Sequence, residues 1–297
     1  MDKIPKDDIA FDSYVLSMLD ALSQKDSLRQ MVQLPSTDEE KKEFTKLAQQ
    51  TCGVVIKLQE VFDTVVTQEQ KMGPPEPPYD NLPPEIVSKM ISESDVNVSK
   101  QHFSDTLMYY ARKNDRSELN FLSHISHILS SSAISFLYAL SKGIVLRGAI
   151  EVGIGCEIQK GFIYGPVLYQ AHYLESEIAQ YPRVVIGKQL YNHLLFTSNS
   201  EMQEPLQSAT QICAKICLKY ITIDSDGVPI LDYAGSGASY FAKVLRGLDI
   251  KAIEFIKSEW ERFVKNGNAK LAQRYCWLYS YLNRNRATEN KPKEPSV

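Results

Sequence analysis

No apolar run in the chain approaches the about 18 uninterrupted residues that a bilayer-spanning helix needs, so no membrane span is expected. There is no surplus of positive charge either: 33 Lys and Arg stand against 36 Asp and Glu, a net charge of −3. A duplex nucleic-acid binder needs a basic face, so that class is set aside, while a local basic patch for a triphosphate is not. Cysteine is scarce. The five residues are odd in number and scattered, which implies no disulfide framework and fits reduced thiols in the cytoplasm. The opening MDKIPKDDIAFDSYV is charged and lacks an apolar stretch, so it is not expected to be a signal peptide. No internal repeat is visible.

What the chain does have is an ordinary globular composition, 43% hydrophobic and 23% charged over 297 residues. Asp8 to Phe11 reads as a short strand, and Tyr14 to Ser23 as a helix, with apolar Tyr14, Val15, Met18, Leu19 and Leu22 at helical spacing. A strand that turns at once into a helix leaves backbone N–H groups exposed, a ready anion site. Charged helical sequence follows from about Glu39 to Gln68, and the proline-rich tract from Gly73 to Tyr79 breaks it. Val96 to Ser104 and Asp105 to Arg112 read as extended segments. Leu119 to Leu140 reads as a long helix that Gly143 closes. Strands are expected at Ile144 to Gly153, Glu157 to Tyr164 and Arg183 to Ile186. Helices are expected from Gly165 to about Gln180 and from Pro205 to Leu218, with a hairpin around Asp224-Ser225-Asp226-Gly227 and mostly helix from Ser239 to Arg284. This order suits an α+β sandwich with a mostly antiparallel sheet flanked by helices. Residues 1–286 are expected to form a single domain with a helical, proline-rich insertion at about 26–95, and 287–297 a disordered polar tail.

Two aspartates stand out. Asp12 lies at the expected strand-to-helix junction and Asp105 in the expected hairpin. Brought to one end of a sheet, such carboxylates suit Mg²⁺ or Mn²⁺, which take hard oxygen ligands and complete their shell with phosphate and water. Taken alone, Asp12 reads as a helix N-cap and Asp105 as a turn residue. His124 and His127, three apart on the long helix, read as helix-surface residues because no third ligand is near. The Asp224–Gly227 stretch reads as a hairpin turn rather than a calcium loop, since the later ligands are missing.

Phe11-Asp12, Phe103-Ser104-Asp105, the run from Leu146-Arg147-Gly148 to Gly153, and the run from Gly165-Pro166 to Ser176 fall in the order of the class III nucleotidyl cyclases, and the chain resembles that family from about residue 8 to about 190. The resemblance implies a cyclase-like α+β sandwich that acts on a nucleoside triphosphate by two-metal catalysis. Asp12 and Asp105 would hold two Mg²⁺ or Mn²⁺ per site. Arg147 and the backbone at Ser13 and Tyr14 would bind the triphosphate, with Arg147 counted as catalytic. The sites would lie at the interface of a homodimer. Where purine cyclases carry a helix asparagine and arginine, this chain has Tyr169 and Tyr173; the purine-reading aspartate is replaced by Phe162 and the base-reading lysine by Gln101. With these four residues in the base and ribose pocket, the chain is similar to the bacterial pyrimidine cyclases of the Pycsar antiphage system. The implied reaction converts a pyrimidine nucleoside triphosphate, UTP favoured over CTP, to the 3′,5′-cyclic monophosphate and pyrophosphate. The alternative is a catalytically inactive homologue that binds a nucleotide or dimerises as a sensor.

Overall fold

The apolar run after Asp12 is a strand, not a helix. In the computed structural model, which describes residues 10–22, 33–72, 83–92, 97–103, 105–114, 117–159, 161–199, 205–235 and 247–289, β1 spans Asp12–Ala21. Val15 and Leu19 of β1 point into the main core, while Tyr14 and Leu16 point into a second apolar cluster on the opposite face. A strand covered on both faces reads as a near-continuous apolar run, which periodicity cannot separate from a buried helix. That is why the expected helix at Tyr14–Ser23 is absent. Ala10 and Phe11 have no regular structure, and the rest of the strand expected at Asp8–Phe11 lies outside the described residues.

The connection to the next strand contains α1 (Asp38–Met72) and α2 (Pro84–Ser92). Leu58, Val65 and Ile86 anchor these helices in the main core, so the stretch written as an insertion packs as part of the fold. The Gly73–Tyr79 tract lies outside the described residues. β2 (Ser99–Phe103) and β3 (Thr106–Arg112) form the expected hairpin, α3 spans Glu118–Ser141, and β4 runs from Leu146 to Gln159. Gly143 follows α3 with φ +76°, and the Ile144 N–H returns to the Ala139 carbonyl at 2.9 Å, a glycine C-cap as expected.

The sheet has strand order β2-β3-β1-β4-β6-β8-β7 among the described residues, with β6 at Val184–Ile186, β7 at Ile221–Ile223 and β8 at Pro229–Leu231. The short β5 (Phe162–Tyr164) pairs with β4 off this path. Every pairing is antiparallel except β4 with β6. The architecture is therefore α+β with a mostly antiparallel open sheet flanked by helices.

The first four strands form a split β-α-β unit. β1 and β2 run parallel with β3 between them, and β3 and β4 run parallel with β1 between them. The carboxyl ends of β1 and β2 therefore share one end of the sheet with the amino ends of β3 and β4. α3 covers one face. Two buried hydroxyl pairs fix it there: Ser17 Oγ to Ser132 Oγ at 2.8 Å, and Tyr109 Oη to Ser135 Oγ at 2.9 Å.

The other face is covered by α4 (Pro166–Tyr173), which continues into a π-helical turn at Leu174–Ile178. A Cβ on Gly155 would lie 3.0 Å from Val167 Cγ1, so this glycine lets α4 settle close to β4. α5 (Lys188–Asn199), which the sequence reading did not include, and α6 (Pro205–Leu218) follow. α7 (Leu248–Lys265) and α8 (Ala269–Glu289) complete the fold, so the tail placed at 287–297 begins inside α8; its remainder lies outside the described residues. No helix among the described residues is long and apolar enough to cross a membrane.

Arg183 sets the far side of the sheet. Only 3% exposed, it pairs through Nη1 with Asp224 at 2.8 Å and through Nη2 with Asp226 at 2.7 Å. The guanidinium thus takes both carboxylates of the β7–β8 turn, which is a hairpin turn as the sequence suggested.

Candidate active site

Strand order brings three chemistry-bearing segments to one end of the sheet: the close of β1, the β2–β3 turn and the start of β4. Asp20 on β1 lies opposite Thr106 on β3 and opposite Arg147 on β4. The Asp105 carbonyl accepts the Ala21 N–H at 3.0 Å, which ties the turn to the end of β1. Thr106 Oγ1 donates to Asp20 Oδ1 at 2.9 Å. Alternation along β1 puts Asp20 on the face of Tyr14, Leu16 and Met18, the face that α4 covers.

From that covering layer comes a further acid. Glu175 sits in the π-helical turn, 5% exposed, and its Oε1 accepts from Arg147 Nε at 2.6 Å and Nη2 at 2.5 Å. π-Helical turns recur at functional sites because the extra residue re-aims a side chain. Here the re-aimed side chain is the carboxylate that grips Arg147. Two of the five guanidinium N–H donors are used, leaving the outer edge for another acceptor.

The electrostatics are lopsided. Three acids, Asp20, Asp105 and Glu175, share this end of the sheet with Arg147. Burial, and then the negative charges of Glu175 and Asp105, raise the Asp20 carboxyl to about 6, against the opposing Thr106 hydrogen bond and the Arg147 charge. Burial is the larger cause and the neighbouring acids add to it; a divalent cation here would relieve both. The donor set of carboxylate oxygens suits Mg²⁺ or Mn²⁺. Among the described residues no group of three or more His, Cys, Asp or Glu is arranged to hold a metal ion.

Asp12 does not belong to this cluster. It begins β1 while Asp20 nearly ends it, eight residues on, about 26 Å at the rise of an extended strand. There Asp12 Oδ2 accepts from Arg112 Nε at 2.7 Å and Oδ1 from the Ser13 N–H at 2.7 Å. The expected pairing of Asp12 with Asp105 as metal carboxylates is corrected: the two stand at opposite ends of the sheet, and the β1 acid beside the Asp105 turn is Asp20. Ser13 and Tyr14 are corrected with it. Both continue the strand, opposite Ile154 and Gly153 of β4, so no helix begins after Asp12 and no fan of free N–H groups forms there. Sequence reasoning passed over Asp20 because it was placed inside a helix. Its signal was an acid set in the apolar run Met18-Leu19-Asp20-Ala21-Leu22.

The four residues expected to line a base and ribose pocket lie on three separate elements. Gln101 lies mid-strand on β2, half-buried, with its Oε1 buried and lacking a hydrogen-bond partner. Phe162 (β5), Tyr169 and Tyr173 (both α4) stand 52%, 67% and 43% exposed. With the exposed Tyr164 they give the α4–β5 side an aromatic surface. Of the two histidines read as helix-surface residues, His124 is instead 1% exposed, its Nε2 accepting the Asn97 N–H at 3.2 Å. All five cysteines are free. Compared with known proteins, the chain matches no family model and no curated protein.

Proposed function

We propose that the chain is a nucleotidyl cyclase whose metal carboxylates are Asp20 and Asp105. One observation carries the reading: Asp20, Asp105 and Arg147 come from three separate strands or turns to one end of the sheet, with the acids in excess. Asp20 and Asp105 would hold Mg²⁺ or Mn²⁺, two per site. When bound, the metals lower the pKa of the ribose 3′-hydroxyl and neutralise charge on the α-phosphate and the leaving pyrophosphate. Thr106 holds the Asp20 carboxylate by its hydrogen bond. Glu175 holds the inner edge of Arg147, so that the remaining N–H donors face the β- and γ-phosphates; guanidinium geometry suits two phosphate oxygens at once. The substrate is a pyrimidine nucleoside triphosphate, UTP in preference to CTP, and the product is its cyclic monophosphate, an alarm signal in antiphage defence. A smaller base leaves space for Phe162, Tyr169 and Tyr173 to stack. Because these aromatics are exposed, the site is completed by a second copy docking on the α4–β5 side in a two-fold homodimer.

A catalytically inactive homologue that binds a nucleotide is the second reading. It is favoured by the hold of Glu175 on Arg147, a guanidinium already answered by a carboxylate.

The test is turnover of ATP, GTP, CTP and UTP with Mn²⁺, the products resolved by chromatography. A single cyclic pyrimidine product, lost in Asp20→Ala and in Asp105→Ala but retained in Asp12→Ala, is expected. Loss in Asp12→Ala with retention in Asp20→Ala would reverse the assignment. No cyclic product from any of the four nucleotides, with saturable nucleotide binding, would establish the second reading.

A further inference from the structure

At the opposite end of β1 from the acidic cluster lies a cavity of about 180 Å³. Tyr14, Tyr110, Arg112, His124 and Glu157 are among its lining residues. Tyr14 is 1% exposed and its hydroxyl, buried, has no hydrogen-bond partner. A buried hydroxyl left unpaired costs free energy, so its position calls for something in the cavity to bond.

The charges around it say what. Arg112 is answered by Asp12 at 2.7 Å. His124 accepts the Asn97 N–H on Nε2, the bonding of a neutral imidazole. Glu157 is different. Its Oε1 takes two donors, the Tyr110 hydroxyl at 2.8 Å and the Gly161 N–H at 2.7 Å. Its Oε2 accepts no bond, and no Lys or Arg lies within ion-pair distance of it, among the described residues. Among the described residues that line the cavity, Glu157 is thus the charge left without an ion-pair partner. The Tyr14 and Tyr110 rings, 6.3 Å apart at 53°, supply aromatic surface beside it.

We infer that this cavity is a binding site for a small organic cation, of the guanidinium or amidinium class, held by Glu157 Oε2 and the Tyr14 hydroxyl. A planar cation offers several N–H donors to the open carboxylate oxygen and to the hydroxyl, and its face is attracted by a tyrosine ring. The space is several times the roughly 30 Å³ share of one water, room enough for a small organic cation. Tyr14 ionises less readily than an ordinary tyrosine, because of burial and then, against the pull of Arg112, the nearby Glu157 and Asp12 charges, so its hydroxyl stays a neutral partner for a bound cation. Nothing in this site depends on the cyclase reading, and its test needs no turnover.

The probes are methylguanidinium chloride and its neutral isostere methylurea, at matched ionic strength, against the full chain. Saturation-transfer NMR and thermal melts read binding. A saturable response to methylguanidinium and not to methylurea is expected. It should be lost in Glu157→Gln, which keeps an acceptor for Tyr110 and Gly161, weakened several-fold in Tyr14→Phe, and unchanged in Asp20→Asn at the far end of the strand. Ligand-free melts of each variant establish that it is folded. Equal response to methylurea would overturn the inference, since the cavity would then select no charge. No saturable response to either probe would also overturn it, leaving a cavity that holds water only, as would an undiminished response in both variants.

Discussion

Asp20→Asn should make the protein more stable and deprive it of its metal response. The carboxyl of Asp20 rises from an ordinary 3.8 to about 6 in the folded chain. That is about two units, each worth about 1.4 kcal/mol, so folding disfavours the ionised form by about 3 kcal/mol at most. Water at this half-buried group screens part of the charge, leaving about 2 kcal/mol. The sign follows from proton linkage. Below about pH 4 the acid is protonated in both states and carries no penalty. Between about pH 4 and 6 only the unfolded chain loses its proton, so stability falls as pH rises. Above about 6 the full penalty applies. Asparagine keeps an oxygen for the Thr106 hydroxyl and carries no charge. In EDTA at pH 7.5 the variant should melt higher by about 4 °C, the shift that about 2 kcal/mol produces in a chain of this size. At pH 4.5 the gain should fall to about a third, and at pH 3 it should nearly vanish. Added Mn²⁺ should raise the melting temperature of the native protein and leave the variant unmoved. A variant less stable than the native protein at pH 7.5, or an equal increment at every pH, would refute the electrostatic account of the cluster.

Asp12→Ala should cost no more than about 1 kcal/mol, the scale of a partly exposed ion pair, as read by urea denaturation. Ser17→Ala and Ser132→Ala should each destabilise by about 1–3 kcal/mol by orphaning the partner hydroxyl, whereas the double variant should cost clearly less than their sum; additive losses would show that the hydroxyls do not depend on each other. Arg183→Met should cost about 3 kcal/mol or more at neutral pH, because it leaves Asp224 and Asp226 facing each other without their cation. Arg183 holds Asp226 below the usual carboxylate range, and it joins the Tyr181 hydroxyl and the Ser225 N–H in holding Asp224 low against the opposing effect of burial. Their stabilisation is present above about pH 4 and lost as pH falls further, so the gap between variant and native protein should close in acid melts.

Elements with punctuation were legible in the chain. Gly143 marked the close of α3, Pro205 the start of α6, and Asp224–Gly227 the β7–β8 turn. β1 carried no such marks, and its apolar residues satisfy helical spacing as well as burial on two faces. That one ambiguity displaced the site: with β1 read as a helix, the acid nearest a strand end was Asp12, and Asp20 became one more helical residue. Asp105 and Arg147 sat in segments whose strand assignment was sound, and both fall in the cluster. Glu175 was out of reach for a different reason. Its role comes from a π-helical turn and from burial against Arg147, and neither is a property of local sequence.

The hydroxyl pairs that join α3 to the sheet bear on how the molecule can move. Apolar side chains slide past one another with little loss, but Ser17–Ser132 and Tyr109–Ser135 bond only at one setting. They act as detents. Near its start α3 carries His124 beside the cavity at one end of the sheet, and beyond its close the chain enters β4 at Leu146 and Arg147 at the other. Sliding the helix along the sheet by a full residue would break both bonds. A shift of α3 against the sheet therefore carries the cost of two buried hydroxyl pairs, about 1 kcal/mol or more each, beyond any loss of apolar packing.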